Sequence, residues 1–363
     1  MTDKLRVVAW STGTVGKHAI AGILARPDLE LVGAWCSSDA KEGKDVGEIC
    51  GTDPIGVTAT QDKAALIALR PDVVLHTAMT DADPFAALDL FEEFLAAGIN
   101  VVSSGPVFLQ YPYGVIPADM LEKIDKAAEA GQASLHVNGI DPGFANDVLP
   151  LVITSLSQRI DQVRVSEIAD YSTYFQEFVN QTLYGFGKPL DDVPYLFSPG
   201  IISLAWGSVV RIIAAGLGLT LDEPLEESVE HAVAERDYDT VSGPVPEGTR
   251  CAVRFQVIGN VDGVPRVVLE HVTRTHPEQR PDWPQPVGGD GCYRVEVTGE
   301  PMMTVDFQHK GEHGDHNISG MITTAMRLVN VAPAVVAADP GLVTALDLMH
   351  VTGKGVVSTS PVE

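Results

Sequence analysis

The chain has 363 residues, 45% hydrophobic and 20% charged, with a formal charge of −25. That length is enough for a large core and two domains, and the composition excludes a disordered chain. So strong a negative charge, with no cluster of Lys or Arg to offset it, excludes nucleic acid as a partner and disfavours anionic membrane surfaces. The four cysteines, Cys36, Cys50, Cys251 and Cys292, are scattered and form no C-x-x-C pair. They are expected to be free thiols in a reducing compartment, not a disulfide frame or a zinc site. Met1–Arg6 leads directly into a strand pattern with no signal-peptide core. No apolar run reaches the ~18 residues of a membrane span without a break. A cytoplasmic protein is expected.

The first element is a strand over Arg6–Trp10, followed by small residues and then a helix over 17–26, which Pro27 ends. The intervening Ser11-Thr12-Gly13-Thr14-Val15-Gly16 is a two-glycine version of G-x-G-x-x-G, with Ser11 at the first position. A turn of this kind presents backbone N–H groups at a helix N-terminus and suits a pyrophosphate. A second strand, Leu29–Trp35, ends in Cys36-Ser37-Ser38-Asp39-Ala40-Lys41. The hydroxyls of Ser37 and Ser38 with the charge of Lys41 suit a ribose 2′-phosphate, so NADP is expected, while an inward Asp39 would suit NAD. A short helix at 62–69, a strand at 71–77, a helix at 84–97, a strand at 99–104, a helix at 117–130 and a strand at 133–137 follow. This alternation predicts an N-terminal Rossmann-like, doubly wound parallel sheet of the α/β class. Ligands bind beyond the carboxyl ends of such strands. Those ends carry Ser11–Gly16, Cys36–Ser38, His76–Thr80, Ser103–Val107 and Asn138–Phe144, with Thr77, Ser104, Gly105 and Gly143 expected at the cofactor.

Near Pro150 the pattern changes. Strands are predicted at 162–171, 249–261, 266–272 and 291–298, with Asp262-Gly263 as a hairpin turn. Between the first two lies a helical, aromatic stretch at 172–218, and the loop 275–291 is rich in Pro and Gly. A long apolar helix at 318–336 and a short helix at 340–348 close the chain. The expected organisation is a dinucleotide-binding domain over 1–150 and a second α+β domain with a mixed or antiparallel sheet over 151–314. C-terminal helices over 315–363 would pack back on the first domain.

Four segments carry a family resemblance: Trp10-Ser-Thr-Gly-Thr-Val-Gly16, Val101-Val-Ser-Ser-Gly-Pro106, Gly139-Ile-Asp-Pro-Gly-Phe-Ala-Asn-Asp147 and Thr323-Thr-Ala-Met-Arg-Leu-Val-Asn330. With them the chain resembles the dihydrodipicolinate-reductase-like dehydrogenases, and among these the 2,4-diaminopentanoate dehydrogenase and amine dehydrogenase group. The resemblance implies a Rossmann domain, an α/β substrate domain, a homodimer, and NAD(P)H-dependent reduction of an imine made from ketone and ammonia. It also implies a catalytic Glu just before a Tyr-Pro. Here the segment reads Ser103-Ser-Gly-Pro-Val-Phe-Leu-Gln-Tyr-Pro112, with no carboxylate before Tyr111. The hydride acceptor is then a C=O, a C=C, or an imine activated by another group.

The candidate groups for chemistry follow. His316, just before the last long helix, is a candidate proton donor or else a helix cap. Asn138, Asp141 and Asn146 surround Pro142-Gly143 and are placed near a ligand, with helix capping by Asp141 as the structural alternative. His313, Asp315 and His316 fit no metal pattern, and no metal is expected. His76 and His136 are read as core histidines, and the aromatics of 174–206 as core or as pocket lining. The expected function is hydride transfer to or from a small ketone, imine or amine, using NADP, with NAD as the alternative. A non-catalytic nucleotide-sensing protein on a Rossmann scaffold is the second reading.

Overall fold

The computed structural model describes residues 4–80, 83–312 and 314–348. They form two compact units. One comprises the chain up to Gln110, Ile116–Gly139 and the chain from Met321 onward; the other comprises Tyr111–Val115 and Ile140–Gly320.

The first unit opens with β1 (Leu5–Trp10), α1 (Thr14–Ala25), β2 (Leu29–Trp35), α2 (Val46–Cys50), β3 (Ala59–Thr60) and α3 (Lys63–Ala68). It continues with β4 (Val73–His76), α4 (Ala86–Ala96), β5 (Asn100–Ser103), α5 (Ala118–Gly131) and β6 (Ser134–Val137). Val73, Val74, Leu75, Val101 and Val102 are fully or almost fully buried. Such short apolar runs are what a parallel sheet covered on both faces requires. Helix α1 begins three residues earlier than the periodicity suggests. Thr14, Val15 and Gly16 therefore form its first turn, and Gly13 takes the N-cap.

The second unit starts with α6 (Val148–Thr154) and β7 (Arg159–Asp170). The stretch 172–218, expected to be helical, carries one turn of π-helix at Phe178–Leu183, a short 3₁₀ turn at Tyr195–Phe197, and α7 (Ile201–Gly216). Then come β8 (Glu226–Val233), β9 (Tyr238–Thr240), β10 (Gly243–Val245), β11 (Arg250–Val261), β12 (Val264–Arg274), β13 (Gly291–Glu300) and β14 (Met303–Phe307). Six of these strands form one mixed sheet in the order β14-β13-β7-β12-β11-β8, in which β7 and β12 run parallel and the other pairs antiparallel. Asp262 and Gly263 both have positive φ, 52° and 73°, as a two-residue hairpin turn requires. Two buried arginines anchor loops. Arg250 donates to the carbonyls of Gly185, Leu190 and Asp192, and Arg274 to those of Gln279, Arg280 and Pro284.

Helix α8 (His316–Val336) contributes its first turn to the second unit and the rest to the first. Its length and apolarity would suffice to cross a membrane. Here Ala325, Leu328, Val329, Val331, Ala332 and Val335 are buried in one cluster with Ile20, Ile23 and Leu75. The short helix expected at 340–348 is instead a strand, β15 (Gly341–Val343), paired parallel to β6. Pairing wins over local propensity here. The strand completes the edge of the sheet β15-β6-β5-β4-β1-β2-β3, and the Val343 carbonyl meets Nδ1 of buried His136 at 2.7 Å.

Candidate functional site

In the first unit, the end of β1 and the start of α1 form a cradle. Helix α1 has no side-chain cap and no acidic residue in its first turn, so its positive N-terminal end faces a ligand position unmet. A Cβ on Gly16 would run into the Ser11 carbonyl and lie 3.1 Å from Thr77 Oγ1. Ser11 holds φ at 130°, and its hydroxyl accepts from the Gly13 amide at 3.0 Å. Thr77 Oγ1 is buried and has no hydrogen-bond partner among the described residues. Lys41 reaches back from the end of β2, and its Nζ donates to the Thr12 carbonyl at 2.9 Å. A cradle with a forced glycine, open helix amides, an orphan hydroxyl and one cation fits a dinucleotide pyrophosphate.

Ser37 is exposed, while the Ser38 hydroxyl accepts from Ala40 N. The Asp39 carboxylate accepts from Gln61 Nε2 at 2.8 Å, and Glu42 is held by Thr60 Oγ1 at 2.9 Å. Gly105 leaves no room for a side chain, because a Cβ would lie 2.5 Å from Thr80 Oγ1. The Ser104 amide donates to the His76 carbonyl. His76 and His136 are both buried and both bonded through Nδ1, His76 to Ser103 Oγ at 3.0 Å. Asn138 is buried with both amide atoms unpartnered among the described residues.

The second unit holds the densest titratable cluster. The β12–β7 register sets His271 beside Glu167, and the β13–β7 register sets Tyr293 on its other flank. Directly paired residues share a sheet face. Tyr293, Glu167 and His271 thus form a row. His271 Nε2 lies 3.1 Å from Asp141 Oδ2 and His271 Nδ1 lies 3.1 Å from Glu167 Oε2, with all three side chains buried or nearly so. These are ion-pair contacts in which neither ring N–H points straight at its carboxylate. Tyr171 donates to Glu167 Oε2 at 3.2 Å. The imidazole of His271 is walled by Phe255, stacked at 4.8 Å, and by Trp206, also at 4.8 Å.

Charge follows from this geometry. Burial pulls the His271 pKa down, but the two carboxylates outweigh it and raise it to about 10. Burial pushes Glu167 up, yet its contacts with His271 and the hydroxyl of Tyr171 leave it below the usual range. Burial dominates at Asp141, which is raised. The three donor atoms lie within 4.8 Å of one another, close enough to clasp a metal. Both imidazole nitrogens are already committed to carboxylates, which leaves no lone pair for one.

His316 belongs to the same assembly. It is 5% exposed, its Nδ1 has no partner among the described residues, and its ring lies 5.6 Å from that of Tyr293. Gly291 has no side chain because a Cβ there would lie 2.5 Å from His316 Cδ2. Burial holds His316 below its ordinary pKa, against the field of Glu167. Asn146 is fully buried with both amide atoms unpartnered among the described residues. Capping by Asp141 is not what the structure shows: Asp147 caps α6, and its second oxygen accepts from Gly143 N at 2.5 Å. The Gly143 amide is therefore engaged within its own turn. Of the three residues that fit no metal pattern in the sequence, Asp315 accepts from Ile318 N at the start of α8, His316 is placed above, and His313 lies outside the described residues.

The sequence reading thus reaches Asp141 and His316 but misses Glu167, His271 and Tyr293. A signal was present. Val163, Val165, Glu167 and Ala169 alternate onto one face, as do Leu269, His271 and Thr273, so on that face each strand carries one ionisable residue among buried neighbours.

Two family models match this chain. That of the 2,4-diaminopentanoate dehydrogenase C-terminal domain covers residues 144–356, and that of the dihydrodipicolinate reductase N-terminus covers residues 6–104. An amine dehydrogenase of Streptomyces virginiae is 39% identical over 95% of this chain and 96% of that protein. A 2,4-diaminopentanoate dehydrogenase of Acetoanaerobium sticklandii is 23% identical over 95% and 94%. The structure of an amine dehydrogenase from Mycobacterium smegmatis shares the fold, with a TM-score of 0.80 at 19% identity over 98% of both chains. With a Rossmann cradle in one unit and a buried carboxylate–imidazole cluster in the other, the chain belongs to the 2,4-diaminopentanoate dehydrogenase family of NAD(P)-dependent oxidoreductases.

Proposed function

We propose that the chain interconverts a small amine and its ketone, and that Glu167 replaces the carboxylate missing before Tyr111. The observation that carries this is the pair of buried carboxyl groups around one imidazole. Glu167, kept ionised by His271, presents a buried negative charge beside an imidazole walled by Phe255 and Trp206. A buried anion of this kind suits an ammonium group, and the orphan amide of Asn146 and Nδ1 of His316 supply further polar contacts.

In the oxidative direction, the substrate ammonium gives a proton to Glu167, which frees the nitrogen lone pair. A dinucleotide held by the Ser11–Gly16 cradle would supply the acceptor for the hydride of the adjacent carbon. Asp141 holds the far side of His271 and so sets the orientation and charge of the imidazole behind Glu167. His316, whose Nδ1 has no partner among the described residues, is the donor and acceptor for water addition to the imine, with Asp141 of the same unit as a supporting group. Ser11–Gly16, Thr77, Ser104 and Gly105 hold the dinucleotide; Ser37, Ser38 and Lys41 favour NADP over NAD. The engagement of Asp39 and Glu42 by β3-side partners supports that preference. A homodimer is part of the same reading, checked by light scattering. The test of function is amine-dependent reduction of NADP+ across a panel of small aliphatic and aromatic amines. Turnover by the natural chain that is lost in Glu167→Gln supports the reading; full turnover without Glu167 ends it.

A further inference from the structure

Asn138 stands just beyond the carboxyl end of β6, in the unit that carries the cradle. The strand order β6-β5-β4-β1 carries on past the strand ends. Asn138 N donates to the Ser103 carbonyl, Ser104 N to that of His76, and Thr77 N to that of Trp10. At about 4.8 Å per strand, Asn138 is two positions, ~10 Å, from Thr77, which borders the cradle. Thr77 and Ser104, on the two strands between β1 and β6, are half-buried, so this edge of the sheet is open to a ligand there. Asn138 itself is 2% exposed, and neither of its amide atoms has a partner among the described residues. An asparagine amide carries two N–H donors and an oxygen with two lone pairs, and a buried one is ordinarily paired. Asn100 of β5 shows the ordinary case: its Nδ2 donates to the Asp72 carbonyl and its Oδ1 accepts from Ser134 N, both at 2.8 Å. Asn100 lies at the amino end of its strand, and Asn138 at the edge where ligands meet a sheet of this kind. Ser103, the neighbour of Asn138 on β5, has its hydroxyl taken up by His76 Nδ1 and the Gly105 amide. The unspent hydrogen-bonding capacity at this end of β5 and β6 is therefore that of Asn138.

We propose that Asn138 recognises the carboxamide of the nicotinamide ring. The inference deepens the reading of Ser11–Gly16 as a dinucleotide cradle and rests on it. The carboxamide has one carbonyl oxygen and one NH2 group, the same two functions as the asparagine side chain. Asn138 Nδ2 donates to the carboxamide oxygen and Asn138 Oδ1 accepts from its nitrogen. An anion could use only the donor half of Asn138 and a cation only its oxygen, whereas an amide uses both. The carboxamide is carried on one side of the pyridine ring, so a group that holds it fixes the rotation of the ring about its glycosidic bond. Ser11–Gly16 set where the pyrophosphate lies, and Asn138 sets how the ring is turned. A bound water could occupy the same two atoms of Asn138, and the experiment separates it from the carboxamide.

The experiment measures binding by titration calorimetry, with no amine present. The probes are NADPH, its 3-acetylpyridine analogue, in which a methyl group replaces the carboxamide NH2, and 2′-phospho-ADP-ribose, which lacks the nicotinamide. The corresponding NADH series is used if NADH binds more tightly. The natural chain is expected to bind NADPH about tenfold more tightly than the acetylpyridine analogue, because the analogue leaves Asn138 Oδ1 without a donor. In Asn138→Ala that preference should vanish and NADPH should weaken by about tenfold or more, while 2′-phospho-ADP-ribose stays within about twofold. If the alanine variant does not fold, the comparison of the two cofactors on the natural chain decides alone. Equal affinity of the natural chain for both, or a loss in Asn138→Ala shared in full by 2′-phospho-ADP-ribose, overturns the assignment and leaves water as the partner of the amide. Failure of the underlying reading is distinguishable, because 2′-phospho-ADP-ribose would then not bind the natural chain, and both readings would fall together.

Discussion

Replacing Glu167 by Gln tests the centre of the mechanism with little change of shape. The substitution keeps the side-chain volume and an oxygen for the Tyr171 hydroxyl, but removes the charge 3.1 Å from His271 Nδ1. The raised pKa of His271 is what two carboxylates leave after burial has pulled it down. Losing one leaves burial opposed by Asp141 alone, so His271 should fall back toward its ordinary range and the fold should lose ~3–5 kcal/mol, as for a broken buried ion pair. The catalytic loss should be larger, because the variant has no base for the substrate ammonium. A fall of about 10²–10⁴ in kcat for amine oxidation is expected. Initial rates with NADP+ and urea denaturation give the two magnitudes. A variant that is as stable as the parent and turns over within about threefold of it would show that the cluster is neither the base nor a strained charge network.

Three further outcomes follow from the structure. His271→Gln should flatten the alkaline side of the stability profile. The folded pKa of His271 is raised, so its contribution is complete below 6.5 and is lost as pH climbs toward about 10; equal slopes for parent and variant between those values would contradict the assignment. Gly16→Ala should abolish dinucleotide binding measured by fluorescence quenching, since a Cβ there meets the Ser11 carbonyl and crowds Thr77 Oγ1. Unchanged binding would remove the cradle from the argument. Lys41→Ala removes the bond from Nζ to the Thr12 carbonyl and a cation from the ribose end. NADPH should weaken by about tenfold or more and NADH much less, with equal weakening as the refuting result.

The parallel sheet was legible because its strands are short apolar runs separated by helices, a pattern that local sequence encodes. Strand β15 was not, because three residues around Leu342 acquire strand character only by pairing with β6. The helical reading of 172–218 failed in part for a related reason. Its aromatics Tyr184 and Phe186 lie two residues apart and stack on each other in the core, a spacing that does not follow one helix face. In the site, Asp141 stood out beside Pro142 and Gly143, and His316 beside Asn317 at the start of α8. Glu167 and His271 lie in strand interiors 104 positions apart, and only the parallel register of β7 and β12 brings them together. Nothing local to either residue announces the other.

That register forms a continuous line across the second sheet: Phe307, Tyr293, Glu167, His271, Phe255 and Val229 stand side by side on successive strands. For evolution and engineering, such a line separates two kinds of change. Exchanging Phe307, Phe255 or Val229 resizes a wall while the ionisable trio stays where it is, so substrate range can drift by point substitution. Inserting or deleting one residue within β7 or β12 turns the glutamate or the histidine to the opposite face and ends the chemistry in a single step. Descendants of this chain should therefore vary in the flanking residues of the line while keeping the lengths of its two middle strands.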